Sequence, residues 1–484
     1  MEKHEKSLKE PGKLRQFLAT VVVNLSSLCY GIMLGWQSPF APQLQSPLPP
    51  VGSEPMTDDG VSWLSGIMCL AGTVVTVLLS VIPDKFSRKR FGYVLVIPMT
   101  LSWLLIIFAT EHIHIYIAKA LCGIGGAGMF FLVPNYISEI SCDSIRGLLG
   151  TVMIFSINVG ILIVYILGGI LSLRSFAMVA LTVPVLYLIA FAFMPESPVY
   201  LVRQNRMHDA IRSLKWLKSK DSLTIEQTLS YLQLEVKKAT STNSAKLSDL
   251  FRDKATIKGL IIVLGLFGGQ QFCGITAMIN YTESIFKISG SSLTPNASAI
   301  IVAVIQLFGT FLSLFLVERA GRRPLLLISC AGMFVCHCVI GTFCYLQDLQ
   351  YEVSAYGWVP VTALSIFVVA YSLGMGGLPV VVMSEIFSRD VSSLGTIVGL
   401  TMGWTTSFIV VKIFADLITL LGMYGCFFLL ATSCACSSLF CFVFVPETKG
   451  RMREDIVDQL NGVQCTKKDV KHVIGTDSMH AANV

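Results

Sequence analysis

The run GGQQFCGITAMINYTESIF, residues 268–286, carries amide and hydroxyl side chains in a segment that is otherwise apolar. Gln270 and Gln271 are adjacent in this run. Thr276 follows Gln271 by about one and a half helical turns, and Asn280 lies about one turn further along. Because burying an amide without a partner costs roughly a few kcal/mol, we expect these side chains to have hydrogen-bond partners. They either form hydrogen bonds between helices or bind a neutral polyhydroxy ligand, whose hydroxyls match the donor and acceptor of an amide.

Two further amides and one indole complete the candidate set. Gln306 and Asn158 lie in other apolar runs at similar depth, and Trp404 lies in a third. The C–H faces of a pyranose ring pack on aromatic rings, so a tryptophan near buried amides favours a sugar ligand. The candidate substrate-binding residues are Asn158, Gln270, Gln271, Thr276, Asn280, Gln306 and Trp404.

The composition limits the kind of protein that can hold these residues. The chain has 484 residues, 54% hydrophobic and 14% charged, whereas about a quarter of the residues of a soluble protein are charged. This favours a polytopic membrane protein in a lipid bilayer. The net charge of +6 includes no basic cluster interleaved with aromatic residues, so we expect no nucleic-acid partner.

The sequence contains no pattern that indicates an enzyme or a cofactor. Its 14 cysteines fall mostly inside apolar runs, and their spacing does not fit a zinc site. Walker, GxSxG and HExxH motifs do not occur. We therefore expect no metal, no cofactor and no catalytic residue.

Twelve apolar runs are long enough to cross a membrane, which takes about 20 residues. They predict an all-α membrane protein. The first run follows a charged start and continues without a cleavage site, so we interpret it as a retained span and not a signal peptide. Numbered in order, spans 1 to 12 are 17–38, 61–82, 91–110, 114–135, 149–170, 176–194, 259–284, 298–317, 325–346, 358–382, 394–420 and 424–445.

The distribution of lysine and arginine between the loops predicts the orientation. Loops 83–90 and 318–323 are basic, and segment 195–257 holds 11 basic residues. Loops 39–60 and 347–357 hold none. Basic loops alternate with loops that hold no lysine or arginine, as twelve spans require. Both termini and segment 195–257 are therefore predicted to be cytosolic.

The two halves of the chain share a repeated pattern. PDKFSRKR, YISEI and MPESP recur as VERAGRRP, VMSEIF and VPETK, at separations of 234, 246 and 251 residues. A parallel repeat of six spans is typical of transporters whose halves rock about a central site. The predicted divisions are a cytosolic tail at 1–16, a six-helix bundle at 17–194, a cytosolic linker with short helices at 195–257, a second bundle at 258–446 and a cytosolic tail at 447–484.

Six motifs together resemble the sugar-porter branch of the major facilitator superfamily over residues 17–450. They are PNYISEISCDSIRG, PESPVYL, QQFCGITAMINY, VERAGRRPLLL, GMGGLPVVVMSEIF and PETKGR. Phe272 and the run NVGIL at 158–162 look most like insect facilitated trehalose transporters. The resemblance implies a facilitative sugar carrier of the cell membrane, working as a monomer, with two six-helix bundles. Gln270, Gln271 and Gln306 match sugar-contacting positions of the family.

Charged residues at the predicted cytosolic ends of the spans form a second candidate group. In the family such groups form ion pairs between helices that hold the cytosolic side shut when the site faces outward. Topology alone would account for the basic loops but not for acids at matching places in both halves. The predicted gate residues are Asp84, Arg88, Arg90, Glu139, Arg146, Glu196, Glu318, Arg322, Arg323, Glu385 and Glu447.

Several positions depart from the family pattern within the site. Proton-coupled members carry an aspartate in span 1 where this chain has Met33, and no acid lies near the middle of spans 1, 2, 4, 5, 7, 8 or 10. A proton relay needs an intramembrane carboxylate, so we expect passive transport. Thr276, Val380 and Gly403 replace residues that usually bring an amide or a ring. We expect a wider, less polar cavity that binds glucose weakly and admits a disaccharide or another polyol.

Departures also occur among the charged residues. Val199 and Ser392 stand where the family usually has arginine, so the predicted gate lacks two positive charges. We therefore expect a resting carrier biased toward the inward-open state. Lys412 and Asp416 are one turn apart in span 11, and this spacing predicts a local ion pair.

Two other functions fit the same pattern. One is a sugar-binding sensor that does not transport, although sensors usually carry a long cytosolic tail and only about 33 residues follow position 451 here. The other is a carrier for a different small neutral solute.

Overall fold

The computed structural model describes residues 12–79, 86–218, 222–241, 247–288, 293–387, 391–451 and 453–461. Within these ranges the chain is helical and contains no β-strand. Large apolar side chains point outward from the helices, with Ile189, Phe308 and Leu439 each more than half exposed. Such a surface suits lipid and not water. The predicted all-α membrane fold is confirmed.

All of the first six spans begin a few residues before the predicted ranges; spans 1 and 4 also end later, whereas spans 3, 5 and 6 end two or three residues earlier. Span 1 consists of three consecutive helices, Lys13–Val23, Leu25–Gly35 and Gln37–Leu44. Spans 2 to 6 are Asp58–Leu79, Arg88–Ile107, His112–Ile140, Asp143–Gly168 and Leu173–Ala192.

In the second half, two of the spans are broken. Span 7 consists of Lys254–Phe272 and Ile275–Ile288, and span 10 of Val359–Leu373 and Leu378–Ile386. Spans 8 and 9 are Pro295–Ala320 and Arg322–Asp348, and spans 11 and 12 both lie in Ser392–Phe444.

The helical segment Ser392–Phe444 is too long for one crossing. Its 53 residues would extend about 80 Å as a straight helix, against a hydrocarbon core of about 30 Å. Gly422 divides the segment because its φ of 70° and ψ of 171° are not helical. Its two parts, 392–421 and 423–444, are spans 11 and 12. The eleven candidate spans found among the described residues are thus consistent with twelve crossings.

Helix starts follow from capping residues in the loops. The Oγ of Ser87 accepts a hydrogen bond from the backbone N–H of Arg90, and span 3 begins there. The Oγ1 of Thr294 accepts from the N–H of Ala297, and Pro295 supplies the first residue of span 8. Such residues satisfy backbone donors that have no partner inside the helix.

The segment between the halves contains the helices Pro198–Arg203, Met207–Leu217 and Ser222–Ser241. Gln16, buried near the start of span 1, donates from Nε2 to the carbonyl oxygen of Leu217 at 3.2 Å and accepts from the N–H of Cys142 at 2.9 Å. This amide ties the linker to the first half.

The two halves meet along three helix pairs. Span 2 packs against span 11, span 5 against span 8, and the second helix of span 7 against span 1. We call the end of the bundle where spans 3 and 9 begin the basic end, and we call the other end the opposite end. The candidate amides lie between these ends, at or close to the contacts between the halves.

Candidate functional site

Gln270 lies at the end of the first helix of span 7, just before the break at Gly274. Its Nε2 donates to the carbonyl oxygen of Met375 at 2.6 Å and reaches that of Gly376 at 3.3 Å. Both carbonyls belong to the break in span 10. One buried amide therefore joins the two broken helices of this half.

Gln271 belongs to a chain of hydrogen bonds that crosses from one half to the other. The Oγ1 of Thr276 donates to the Oε1 of Gln271 at 2.7 Å, and the Oγ of Ser407 donates to Thr276 at 3.2 Å. Cys69 of span 2 lies 3.3 Å from Ser407 through its Sγ. Asn280 donates to the carbonyl oxygen of Thr276 at 2.8 Å. We call these five residues the span 7 group.

Asn158 and Gln306 form a second bridge between the halves. The Nε2 of Gln306 in span 8 donates to the Oδ1 of Asn158 in span 5 at 3.2 Å. Asn158 in turn donates to the Oγ1 of Thr310 at 2.8 Å, and that hydroxyl donates to the carbonyl oxygen of Gln306 at 2.9 Å. All three side chains are buried. Within the described residues, no hydrogen bond joins them to the span 7 group.

Trp404 projects from span 11 toward the first half. Its ring meets Tyr30 of span 1 and Phe130 of span 4 edge to face, at centroid distances of 6.1 and 6.0 Å. Gly72 of span 2 makes room for the indole, because a Cβ there would lie 2.7 Å from the ring. The result is an aromatic cluster between the halves, of the kind that packs against the C–H face of a sugar.

Gly403, one of the positions that depart from the family pattern, does not border an empty space in this structure. A Cβ at Gly403 would lie 3.1 Å from the ring of Phe267 in span 7, which is buried. An apolar ring therefore occupies this space. At this position the neighbouring group is apolar, and the expected widening of the cavity is absent.

Ser407 and Cys69, which complete the span 7 group, are not among the residues predicted from the sequence. Serine and cysteine are common in apolar helices, so neither residue type marks a site. The spacing of Ser407 from Trp404, three residues, does place both on the same face of span 11 and could have indicated it.

Lys119 in span 4 was also missed, although it is a lysine inside an apolar run. It is fully buried, and its Nζ donates to the carbonyl oxygen of Met33 at 2.9 Å. The ammonium lies 5.0 Å from the centroid of the Trp36 ring. A carbonyl dipole and an aromatic face each compensate part of the cost of burying the charge.

At the basic end, two ion pairs between neighbouring spans each lie within one half. Arg88 and Glu139 pair at 2.9 Å between spans 3 and 4. Arg322 and Glu385 pair at 2.9 Å between spans 9 and 10. The two pairs lie at matching positions of the sequence repeat, but Arg88 also donates to Glu139 from Nε, whereas Arg322 contacts Glu385 through Nη2 alone.

Two further carboxylates receive the first N–H groups of helices at the basic end. Glu196 accepts from the N–H of Lys89 at 3.2 Å, at the start of span 3. Glu447 accepts from the N–H groups of Arg322 and Arg323 at 3.0 and 3.2 Å, at the start of span 9. A negative charge at a helix N-terminus is favourable, so these acids hold spans 6 and 12 against spans 3 and 9.

Four gate candidates remain, two in the first half with described side chains and two whose side chains lie outside the described residues. Arg90 is exposed, and Arg146 donates to the hydroxyl and carbonyl oxygens of Ser141 at 3.4 and 3.5 Å. Asp84 lies outside the described residues, as does the side chain of Glu318.

Contacts between the halves also occur at the opposite end. The hydroxyl of Tyr165 in span 5 donates to the carbonyl oxygen of Ile279 in span 7 at 2.8 Å. The N–H of Glu283 donates to the Oγ of Ser38 at 3.2 Å, and Asn296 donates to the carbonyl oxygen of Tyr165 at 2.9 Å. These bonds draw the second helix of span 7 onto the first half.

Sequence comparison identifies relatives along nearly the whole chain. The family described as "Sugar (and other) transporter" matches residues 19–459. The facilitated trehalose transporter Tret1 of Bombyx mori is 31% identical over 441 residues, which cover 91% of this chain and 86% of that protein. Tret1 of Culex quinquefasciatus is 32% identical over 447 residues, covering 92% and 86%.

Solved structures share the fold at lower identity. The proton:xylose symporter XylE bound to 6-bromo-6-deoxy-D-glucose gives a TM-score of 0.73 at 20% identity, over 93% of this chain and 100% of that chain. Inward-open XylE from E. coli gives 0.74 at 20% identity, over 91% and 99%. With a family match over most of its length and relatives more than 30% identical along nine tenths of it, the chain belongs to the sugar transporter family and has the major facilitator fold.

Proposed function

We propose that this chain moves a small neutral sugar, with trehalose as the first candidate, by facilitated diffusion through alternating access. The supporting observation is the hydrogen bond between Gln306 of one half and Asn158 of the other, at a buried depth between the two bundles. A carrier needs polar groups at this interface that can exchange one partner for another. The names of the Tret1 relatives supply the choice of trehalose.

In the proposed site, sugar hydroxyls take over bonds that the side chains now make with each other. The Gln271–Thr276 and Gln306–Asn158 contacts each pair one donor with one acceptor. A sugar hydroxyl both donates and accepts, so it can replace either partner without leaving a polar group unsatisfied. Trp404 then packs against a C–H face of the ring.

In the proposed orientation the basic end faces the cytosol, together with both termini, because the positive-inside rule favours it. The Tyr165 and Glu283 bonds then lie on the outer side, and they close the path between the halves there. We expect such an arrangement in a carrier that faces inward. In the outward-facing state, we expect the charged residues of the basic end to pair across the halves and to close the inner path.

Uncoupled transport and altered specificity belong to the same proposal. Met33 replaces the aspartate of proton-coupled members, so we expect uptake to be independent of pH. Phe267 fills the space beside Gly403 where an amide is usual. Because this removes one hydrogen-bonding group from the site, we expect glucose to bind more weakly than in relatives that keep the amide.

The test is uptake of labelled trehalose and glucose by oocytes that express the chain, at two external pH values. Gln271→Ala is compared with Thr432→Ala, which removes a hydroxyl from an exposed position of span 12. We expect saturable, pH-independent trehalose uptake that Gln271→Ala loses and Thr432→Ala keeps. Absence of uptake of either sugar, with the protein present at the cell surface, would contradict the proposal and favour a different solute or a sensor.

A further inference from the structure

We propose that His337, in span 9, is a positioning residue for the sugar site: its imidazole holds the carbonyl group that the break in span 7 frees. Its Nε2 lies 3.0 Å from the carbonyl oxygen of Cys273. Gln270 and Gln271 lie three and two residues before this carbonyl, and Thr276 and Asn280 follow it. The inference rests on the proposed function, because it concerns the geometry of that same site.

The break leaves backbone groups that a continuous helix would satisfy. The first helix of span 7 ends at Phe272, and Gly274 adopts a φ of +86°, which only glycine adopts readily. Local bonds satisfy part of the break: the N–H of Gly274 donates to Gln271, and the thiol of Cys273 donates to the carbonyl oxygen of Gln270 at 2.8 Å. The carbonyl of Cys273 receives its hydrogen bond from another helix, through His337.

The imidazole is fixed in one orientation. His337 is fully buried, between Phe367 of span 10 and Phe427 of span 12 at centroid distances of 4.7 and 5.8 Å. Because a carbonyl oxygen can only accept, the Nε2 must carry the proton. Nδ1 has no hydrogen-bond partner among the described residues. The ring thus presents one donor to one acceptor, and three neighbouring helices hold it there.

The carbonyl that His337 holds separates two parts of span 7 that contact different halves of the protein. Before the break, Gln270 bonds to span 10 of the same half. After the break, the N–H of Glu283 bonds to Ser38, and Ile279 accepts from Tyr165, both in the first half. When the halves rock and the bonds to Ser38 and Tyr165 open, the break allows the second helix to tilt relative to the first. An anchor at the break therefore fixes the distance between the substrate-binding side chains of the first helix and those of the second.

The test uses three substitutions that separate the hydrogen bond from the bulk of the ring. His337→Gln can place an amide N–H where Nε2 lies, His337→Asn places one near Nδ1, and His337→Leu places none. We expect Leu and Asn to raise the KM for trehalose about tenfold, with surface expression and Vmax changed much less, since small misplacements in a site are costly. His337→Gln should stay within about threefold of the wild-type KM.

A second measurement does not depend on transport. Hydrogen exchange of the purified protein, followed in a peptide covering residues 270–280, should accelerate in His337→Leu and His337→Asn and remain near wild type in His337→Gln. Equal KM values and equal exchange in all three variants would overturn the proposal. If the wild type moves no sugar, the proposed function fails, and the exchange rates alone decide whether His337 anchors the break.

Discussion

Lys412 of span 11 pairs with Asp59 at the start of span 2, so an ion pair joins the two halves at the end opposite the basic loops. The ammonium also donates to the Oγ of Ser62 at 3.0 Å and lies 4.5 Å from the centroid of the Trp63 ring. The predicted local pair with Asp416 is wrong. Span 2 offers the lysine a carboxylate, a hydroxyl and an aromatic face together, whereas Asp416 is exposed.

Lys412→Met is expected to shift the carrier toward the outward-open state, because the pair exists only while the outer ends are together. Asp59 is well exposed, so the pair contributes about 0.2–1 kcal/mol and the open-to-closed ratio should rise by up to about fivefold. Labelling of a single cysteine placed in the outer vestibule measures this ratio. Asp416→Asn is the matched control and should change nothing.

Exchange of the two charges provides a stricter test of the same contact. Asp59→Lys combined with Lys412→Asp should restore the wild-type labelling rate, whereas Asp59→Lys alone should raise it. A double variant that labels as fast as the single variant would show that the charges do not act as a pair.

The bridge between spans 5 and 8 allows the two explanations of a buried amide to be separated. If Asn158 serves only to join helices, Thr310→Val should also harm transport, since it removes one of the two bonds that tie Asn158 to span 8. If Asn158 binds sugar, Asn158→Ala should raise the KM for trehalose about tenfold or more, and Thr310→Val much less. Saturation kinetics of uptake decide between these outcomes; similar KM values would exclude a sugar contact at Asn158.

The spans could be predicted from sequence because membrane crossing depends on local composition. Each of the twelve crossings is about 20 or more apolar residues long, and lipid leaves the backbone no alternative to a helix. The breaks in spans 7 and 10 could not be predicted in the same way. Glycine is frequent in unbroken membrane helices, so Gly274 alone does not indicate a positive φ.

The residue types of the site could be predicted, but their partners could not. Gln306 and Asn158 are distinctive as amides in apolar runs, yet their bond depends on how span 5 packs against span 8. The same holds for Lys412, because Asp416, its neighbour in sequence, competes for the ion pair with Asp59, which lies more than 350 positions away. Helix periodicity describes one helix at a time, whereas these contacts arise between helices.

Met33→Asp is expected to make uptake depend on pH. The carbonyl group of residue 33 already accepts from the Nζ of Lys119 at 2.9 Å, so a carboxylate on this residue would be introduced close to a buried ammonium. A buried carboxylate near a cation can bind and release a proton as its surroundings change during transport. Uptake at external pH 5.5 and 7.5 should become unequal in this variant, and Met33→Asn should remain as insensitive to pH as the wild type.

Glu447→Gln is expected to destabilise the protein at neutral pH and to have little effect in acid. Burial opposes ionisation of Glu447, but the N–H groups of Lys449, Arg322 and Arg323 and the charge of Arg322 together hold its pKa below the ordinary value of 4.5. A carboxyl group with a lowered pKa stabilises the fold above its unfolded pKa, and this contribution is lost as the pH falls through the folded value.

Thermal unfolding in detergent at pH 7 and at pH 4 or below checks this expectation. At pH 7, Glu447→Gln should unfold at a lower temperature than the wild type, by the equivalent of about 1 kcal/mol because the site is partly exposed. The difference should shrink as the pH falls, since the protonated wild-type side chain then resembles glutamine. Glu352→Gln, at an exposed position of the opposite end, is the control and should show no difference at either pH. A destabilisation by Glu447→Gln that persists unchanged in acid would show that the carboxylate charge is not what holds span 12 against span 9.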